Sequence, residues 1–577
     1  MTASEARPAM AGTVPWPDDV ARRYVAAGLW TGEAVGTRLR AAADAGTGET
    51  ALVDGAVRLS HGELWARADG AAERLARLGL RPGDRILLQL PNRWEFVVLL
   101  LACLRLGVPP VMALPPHRGR ELAHLAARSG ARAIAVPDAL DGHDHQETAH
   151  RLGLEHVLVA GRGIRPGGHD LAALCRPAGD PEAARRRLDA SAPDGRAVAV
   201  FLLSGGTTGL PKLIPRTHDD WLCGMRHGVE VCRFDEGTVY LAVLPAAHNY
   251  TLAGPGLLGA LLAGGRAVLA SSPDPARALP LIEREGVTVT SVVPAVAQRW
   301  IEYRRARPGG GPTSLRTLQV GGARLSEHVA RQVRPVLGCA VQQGYGMAEG
   351  LICFTRPDDP EDVACTTQGR PICPADELLV VDERGRPVPP GEPGVLLTRG
   401  PYTLRGYYRA EEHNARAFTP DGWYRTGDVV RRRPDGNLVV EGREKDMINR
   451  AGEKISAEEV EDLARLADGV REAAAVAMPD PVLGERVCLY VVPEAGAAPS
   501  LRDVVAAMER AEAARLAFPE RLVLVGALPV TDIGKVDKAA LRADIARRIA
   551  GEPGRQAPDD RGDDRGDGRG VRAPRPA

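Results

Sequence analysis

The sequence predicts an α/β protein in two unequal parts, a large multi-layered N-terminal one and a small α+β C-terminal one. At 577 residues the chain exceeds what one ordinary core encloses. Apolar strand-like runs alternate with Ala/Leu/Arg-rich helical stretches as far as about residue 440, a pattern that argues for parallel strands joined by helices. A short charged segment, Glu441-Gly-Arg-Glu-Lys-Asp446, then precedes a helix start at Ser456-Ala-Glu-Glu459, which has capping-box spacing.

In chain order, residues 51–59 read as strand and 62–80 as helix, followed by strand at 85–90 and helix at 94–106. The longest apolar run, 96–104, is far too short to span a membrane. Residues 197–203 form a continuous apolar run, the reading of a buried strand. Pro/Gly punctuation at 387–394 marks a hairpin region. The expected organisation is a flexible N-terminus at 1–13, a large domain at 14–445 and a small domain at 446–550. The remainder, 551–577, carries six basic and six acidic residues with almost nothing apolar, and is expected to be a disordered tail.

Composition excludes several functions. Lys+Arg and Asp+Glu are both 74, so there is no basic footprint for nucleic acid. Nine cysteines without a C-x-x-C pair fit reduced, buried thiols better than a disulfide frame or a zinc site. The first residues contain no apolar h-region, so the expectation is a cytoplasmic protein without signal peptide or membrane partner.

The chemistry begins at Phe201-Leu-Leu-Ser-Gly-Gly-Thr-Thr-Gly-Leu-Pro-Lys212. Ser204, Gly205, Gly206, Thr207, Thr208 and Gly209 form a small-residue loop directly after the apolar strand. Its glycines let backbone N–H groups close around phosphate oxygens, the threonines add hydroxyl donors, and Lys212 adds positive charge. It is not the common P-loop, because Lys212 does not directly follow the last glycine.

Six further motifs follow in order: Leu244-Pro-Ala-Ala-His-Asn-Tyr250, Gln319-Val-Gly-Gly-Ala323, Gln342-Gln-Gly-Tyr-Gly-Met-Ala-Glu-Gly350, Tyr424-Arg-Thr-Gly-Asp428, Gly442-Arg-Glu-Lys-Asp446 and Thr531-Asp-Ile-Gly-Lys535. With the loop, they resemble the adenylate-forming superfamily of acyl-CoA synthetases, luciferases and peptide-synthetase adenylation domains. Pro15-Trp-Pro-Asp18, His248-Asn-Tyr250 and Gly346-Met-Ala-Glu-Gly350 sharpen the resemblance to the stand-alone aryl acid–AMP ligases, which include the 2,3-dihydroxybenzoate and salicylate enzymes. It covers about residues 14–545.

The resemblance implies that a carboxylate is joined to the α-phosphorus of ATP with release of pyrophosphate. The acyl group then passes to a phosphopantetheine thiol. It implies that Ser204–Lys212 holds the β/γ-phosphates and that Glu349 helps bind Mg²⁺, for which a carboxylate is the right hard ligand. Asp428 would accept hydrogen bonds from both ribose hydroxyls, with Arg443 on the other side. Gly322, Ala323 and Tyr345 would frame the adenine. Catalysis would fall to Lys535, with His248 and Glu349 beside it. An ammonium is a compact point charge able to reach the acid's carboxylate and the α-phosphate together. Lys535 lies in the small domain, so a rotation about a hinge at Asp446 would carry it into the site. In the second pose the Ala451-Gly-Glu-Lys454 loop would line a thiol tunnel.

The same resemblance places Asn249, Tyr250, Gly254, Ser291, Gly321, Gly344 and Ile352 around the acid. Amino-acid-activating domains carry an aspartate at the position of Asn249, to pair with the substrate ammonium. A neutral amide suits an ortho hydroxyl or amine on an aromatic ring. Where dihydroxybenzoate enzymes carry serine or cysteine, valine and alanine, this chain has Gly254, Gly344 and Ser291. The expectation is a bulkier or differently substituted ring, such as 3-hydroxyanthranilate, a methylated relative, or a hydroxylated picolinate or quinaldate. No carrier-attachment motif is seen after Lys535, so the expected acceptor is a separate aryl carrier protein of a peptide synthetase. Free coenzyme A is the alternative, and a silent adenylate-binding scaffold stands as a third reading.

Overall fold

The computed structural model describes residues 10–550 except 205–209, 308–313, 451–452, 481–482, 512, 514 and 532–534. The expected tail therefore lies outside the described residues.

Two large sheets carry the N-terminal part. One has seven strands, with Ile86–Leu88, Pro110–Met112, Ala133–Pro137 and His156–Ala160 paired in parallel. Val198–Leu203 joins it in parallel, and Leu213–Thr217 closes that edge antiparallel. The other has nine strands around a parallel core of Val239–Ala242, Arg266–Leu269, Val289–Val292, Thr317–Val320 and Ala340–Gly346. Helix Trp94–Leu106 is apolar on nearly every face, and eleven of its residues are buried. A helix of this length, apolar nearly all round, is a core helix. Its one basic residue, Arg105, is paired with Asp69 at 2.9 Å and Asp189 at 2.6 Å, so the buried charge is compensated. Among the described residues no helix is long and apolar enough to cross a membrane.

Two features depart from the expected layering. Residues 51–59 are not one strand but a hairpin, Thr50–Asp54 against Val57–Ser60. Asp54 pairs with Val57, so Gly55-Ala56 is the two-residue turn, with Gly55 at φ 57° in its first central position. Residues 377–443 leave the parallel pattern for a four-stranded antiparallel sheet, Glu377–Val381, Pro393–Arg399, Tyr424–Arg432 and Leu438–Arg443. The Pro/Gly-rich stretch at 387–394 leads into the second of these strands.

After the single turn Glu444–Asp446 the chain builds a smaller five-stranded sheet, in which Val470–Asp480 and Gly484–Pro493 form the long central hairpin. Its faces are covered by helices Ala457–Ala464, Leu501–Arg510 and Lys538–Ala550. Ser456 caps the first of these, its Oγ accepting from Glu459 N at 3.2 Å.

Candidate active site

Strands of both large sheets end at one cleft, and the motif residues follow those carboxyl ends, where open α/β sheets place their ligands. Ser204 follows Val198–Leu203, Gly321–Ala323 follow Thr317–Val320, and Tyr345 is the last residue but one of strand Ala340–Gly346. The base of the phosphate loop closes on itself: Ser204 N donates to Lys212 O at 3.0 Å, and Lys212 N to Ser204 Oγ at 3.0 Å. The loop residues Gly205, Gly206, Thr207, Thr208 and Gly209 lie outside the described residues. Lys212 holds its ammonium 5.7 Å above the centre of the Tyr407 ring. A cavity at this loop is bounded by Met112, Leu203, Ser204, Pro211, His248 and Asn249.

Glu349 is buried, and its Oε1 accepts from the Tyr407 hydroxyl at 2.7 Å. Tyr407 in turn meets the Tyr424 hydroxyl at 2.9 Å. Burial, and then the Glu349 charge, push the Tyr407 phenol far above its ordinary value, so it stays a hydrogen-bond donor. Asp428 has both carboxylate oxygens engaged, Oδ2 by the Tyr345 hydroxyl at 2.6 Å and Oδ1 by Arg443 Nε at 2.6 Å. The pairing is dictated by register, since Asp428 and Arg443 face each other on adjacent antiparallel strands. Arg443 thus touches Asp428 itself. Tyr345 is pinned through its hydroxyl, which fixes its ring at the cleft.

His248 is the N-cap of helix Asn249–Ala253, with Nδ1 accepting from Tyr250 N at 3.3 Å. Burial, then the Lys535 charge, hold its pKa down at about 4, so the ring is neutral near pH 7. With Nδ1 accepting, the proton sits on Nε2, and the residue offers one neutral N–H donor. Lys535 comes from the small domain and lies across the cleft: a Cβ built on Gly322 would be 3.6 Å from its Cε. Its side chain stays partly open to solvent. Even so, the cleft walls desolvate the ammonium, and the Arg443 charge adds to that, so its pKa falls below the usual lysine value. Asp428 and Glu349 oppose the shift. Gly322 itself needs its glycine, at φ 83°. Ala323 follows it on the exposed turn.

The ring-pocket residues are brought together with two departures from expectation. Asn249 Oδ1 accepts from the indole N–H of Trp221 at 3.3 Å, which leaves its NH₂ to be offered elsewhere. Tyr250 lies over Gly321, where an added Cβ would be 3.0 Å from the Tyr250 Cζ. At Gly254 a Cβ would meet nothing closer than 3.6 Å, so the room expected there exists. At Gly344 it does not: a Cβ would lie 2.5 Å from Phe354 Cε1, because Phe354 pairs directly across from Gly344 and fills the space. Ser291 gives no free hydroxyl either. Its Oγ donates to Gln319 Oε1 at 2.8 Å, and Gln319 passes the chain to Gln342 at 2.9 Å, across three parallel strands. Ile352 closes the wall from the neighbouring strand, opposite Gly346. Asp446 Oδ1 accepts from Arg542 Nη1 at 2.6 Å, Arg542 being on the last helix. The Ala451–Gly452 part of the expected tunnel loop lies outside the described residues.

Tyr407, Trp221, Phe354 and Arg542 were not singled out by the sequence. Each acts by contact with a motif residue on another element, and no local spacing signals that.

A cleft at the carboxyl ends of two sheets, with a lysine from a small second domain beside it, is the arrangement of an adenylate-forming enzyme. The chain belongs to the AMP-binding enzyme family: the family matches residues 39–408, and the AMP-binding enzyme C-terminal domain matches 459–535. It is similar to the salicylyl-CoA synthase / salicylate adenylyltransferase of a Streptomyces species, 58% identical over 93% of this chain and 98% of that one. It is 57% identical to the 2-hydroxy-7-methoxy-5-methyl-1-naphthoate–CoA ligase of Streptomyces carzinostaticus, over 95% and 99%. The salicyl-AMP ligase / salicyl-S-ArCP synthetase of Mycobacterium tuberculosis is 48% identical over 92% and 94%.

Proposed function

We propose that the enzyme activates an ortho-substituted aromatic acid as its acyl-adenylate and passes the acyl group to a phosphopantetheine thiol. The observation that carries the aromatic reading is Asn249. Its carbonyl oxygen is taken by Trp221, so the amide presents N–H donors. A substrate ammonium, which has only donors, gains nothing from those N–H groups, whereas a phenol or phenolate oxygen accepts from them. The named relatives act on salicylate and on a 2-hydroxynaphthoate, both ortho-hydroxy aromatic acids.

In the first step a carboxylate oxygen bonds to the α-phosphorus while the bond to pyrophosphate breaks. Lys535 and the neutral His248 N–H stabilise the charge shared between carboxylate and phosphoryl oxygens. Lys212 and the Ser204–Gly209 loop take the departing phosphates. Asp428 holds the ribose, exchanging its contacts with Tyr345 and Arg443 for those with the sugar. Glu349 fits a magnesium ligand. It is a buried carboxylate with one oxygen fixed by Tyr407 and the other without a hydrogen bond among the described residues. Mg²⁺, when bound, neutralises phosphate charge. In the second step the small domain turns about Asp446, a thiolate attacks the carbonyl carbon, and AMP leaves.

The acceptor reading is a separate aryl carrier protein, supported by the carrier-loading relative. Free coenzyme A is a second reading, favoured by the two relatives at 57–58% identity whose names include CoA transfer. ATP–pyrophosphate exchange over salicylate, 2,3-dihydroxybenzoate, 2-hydroxy-1-naphthoate, 3-hydroxyanthranilate, benzoate and α-amino acids tests the acid class. Exchange restricted to ortho-substituted aromatic acids is expected, and exchange with α-amino acids alone contradicts it. Thioester formation with an aryl carrier protein against coenzyme A then separates the acceptors.

A further inference from the structure

Behind the ring pocket lies a cluster with chemistry the adenylation reaction does not use. Cys223 and His227 stand one turn apart on helix His218–Val231, so both project from one face. Cys373, from the segment just after strand Arg370–Pro371, meets them there. The ligand atoms of all three lie within 4.8 Å of one another, the only such group of His, Cys, Asp and Glu among the described residues. Cys223 Sγ is 3.7 Å from His227 Nδ1. A tetrahedral zinc site with ordinary Zn–S and Zn–N bonds has an S···N edge of about 3.6 Å. The cysteine–histidine edge of such a site is therefore already in place.

We propose that Cys223, His227 and Cys373 form a structural zinc site bracing the wall of the acid pocket. Two thiolates and an imidazole are the donor set of zinc rather than of the hard Mg²⁺ used with ATP. The charge balances as well: Zn²⁺ with two thiolates is neutral, so the ion can sit among Trp16, Trp30, Phe354, Ile372 and Tyr402, which pack around it. On binding, two Zn–S bonds form as two thiol protons leave to solvent. His227 gives up the hydrogen bond from its Nδ1–H to Cys223 O, 2.9 Å away, and its ring proton moves to Nε2, which frees the Nδ1 lone pair for the ion. His227 is only half-buried while both cysteines are buried, so the ion and a fourth, water ligand approach from the histidine side. The helix so anchored carries Trp221, which holds Asn249. The Cys373 segment continues from the strand paired with Ile352–Phe354. The zinc would thus tie two walls of the pocket together.

The test uses the full-length protein, purified under reducing conditions without added metal. Elemental analysis after dialysis against a mild chelator should find about one zinc per chain, the stoichiometry of a single site with three protein ligands. Replacing zinc with Co²⁺ should give a thiolate-to-cobalt charge-transfer band with tetrahedral visible absorption. The band should be lost in Cys223→Ser and Cys373→Ser and kept in Cys232→Ser. The wild-type spectrum needs no variant to fold, so it decides the question alone. Zinc absent from the dialysed protein together with only a pale octahedral cobalt spectrum would overturn the proposal. A Cys223–Cys373 disulfide in the reduced preparation would overturn it equally.

Discussion

At the scale of single residues, the cleft depends on how neighbours fix the state of each polar group. Lys535 is held below its usual pKa by desolvation and then by Arg443. A lysine is catalytic here while charged, so activity is present below its pKa and lost as pH rises through it. The alkaline limb of kcat/KM, which reports the free enzyme, is expected below the ordinary lysine value of about 10.4. In Lys535→Arg that limb moves out of the accessible range, because a guanidinium stays charged; an unmoved limb assigns it to another group. The two pocket glycines give opposite expectations. Gly254 has room, so Gly254→Ser should leave folding intact and shift preference toward smaller rings by about 10–200-fold in relative kcat/KM. Gly344 has none, so Gly344→Ala should clash with Phe354 and cost about 1–3 kcal/mol, read as a lower Tm. If Gly344→Ala keeps its Tm and instead changes acid preference, Phe354 is not the filler of that space.

At the scale of elements, the contact to test is the one between the last helix and Asp446, the proposed hinge. Arg542 on Lys538–Ala550 bonds Asp446 in the turn where the small domain begins, at 2.6 Å. The pair is partly exposed, with side-chain accessibilities of 29% and 17%, so its worth is at most about 1 kcal/mol, or roughly fivefold in a population. It exists in the arrangement that brings Lys535 to the cleft. Arg542→Ala is therefore expected to slow adenylation up to about fivefold while thioester formation from added acyl-adenylate stays level or rises. Equal slowing of both half-reactions would show that the pair serves only stability. Such contacts explain what the sequence could and could not disclose. The loop at 204–212, Asp428 and Lys535 stand out in the sequence because the roles proposed for them, with phosphate, ribose and charge, demand particular residue types in fixed local spacing. The break of 51–59 into a hairpin was legible too, in Gly55, and the apolar run concealed it. Phe354 filling Gly344 depends on strand register, and Ser291 donating to Gln319 depends on three strands lying side by side. Neither is written in local pattern.

At the scale of the whole molecule, the division of labour is geometric. In the proposed reaction the two large sheets hold the nucleotide and acid in the N-terminal part, and the small domain supplies one cation, Lys535. The parts communicate through few contacts near the cleft, such as Gln298 Nε2 to Arg471 O at 3.1 Å and Arg324 with Asp462 at 3.7 Å. A sparse, polar interface of this kind favours rotation over permanent docking. The zinc site proposed behind the pocket would stiffen the part that must not move.

The central claim is that Lys535, delivered by the small domain, drives the first half-reaction and not the second. The most direct measurement is ATP–pyrophosphate exchange by Lys535→Ala with the preferred aromatic acid, beside thioester formation from the pre-made acyl-adenylate. The account predicts that exchange falls by roughly 10²–10³-fold, the scale of losing a preorganised charge stabiliser, while thioester formation is retained. Exchange at the wild-type rate, or loss of both half-reactions together in a protein of unchanged Tm, would contradict it.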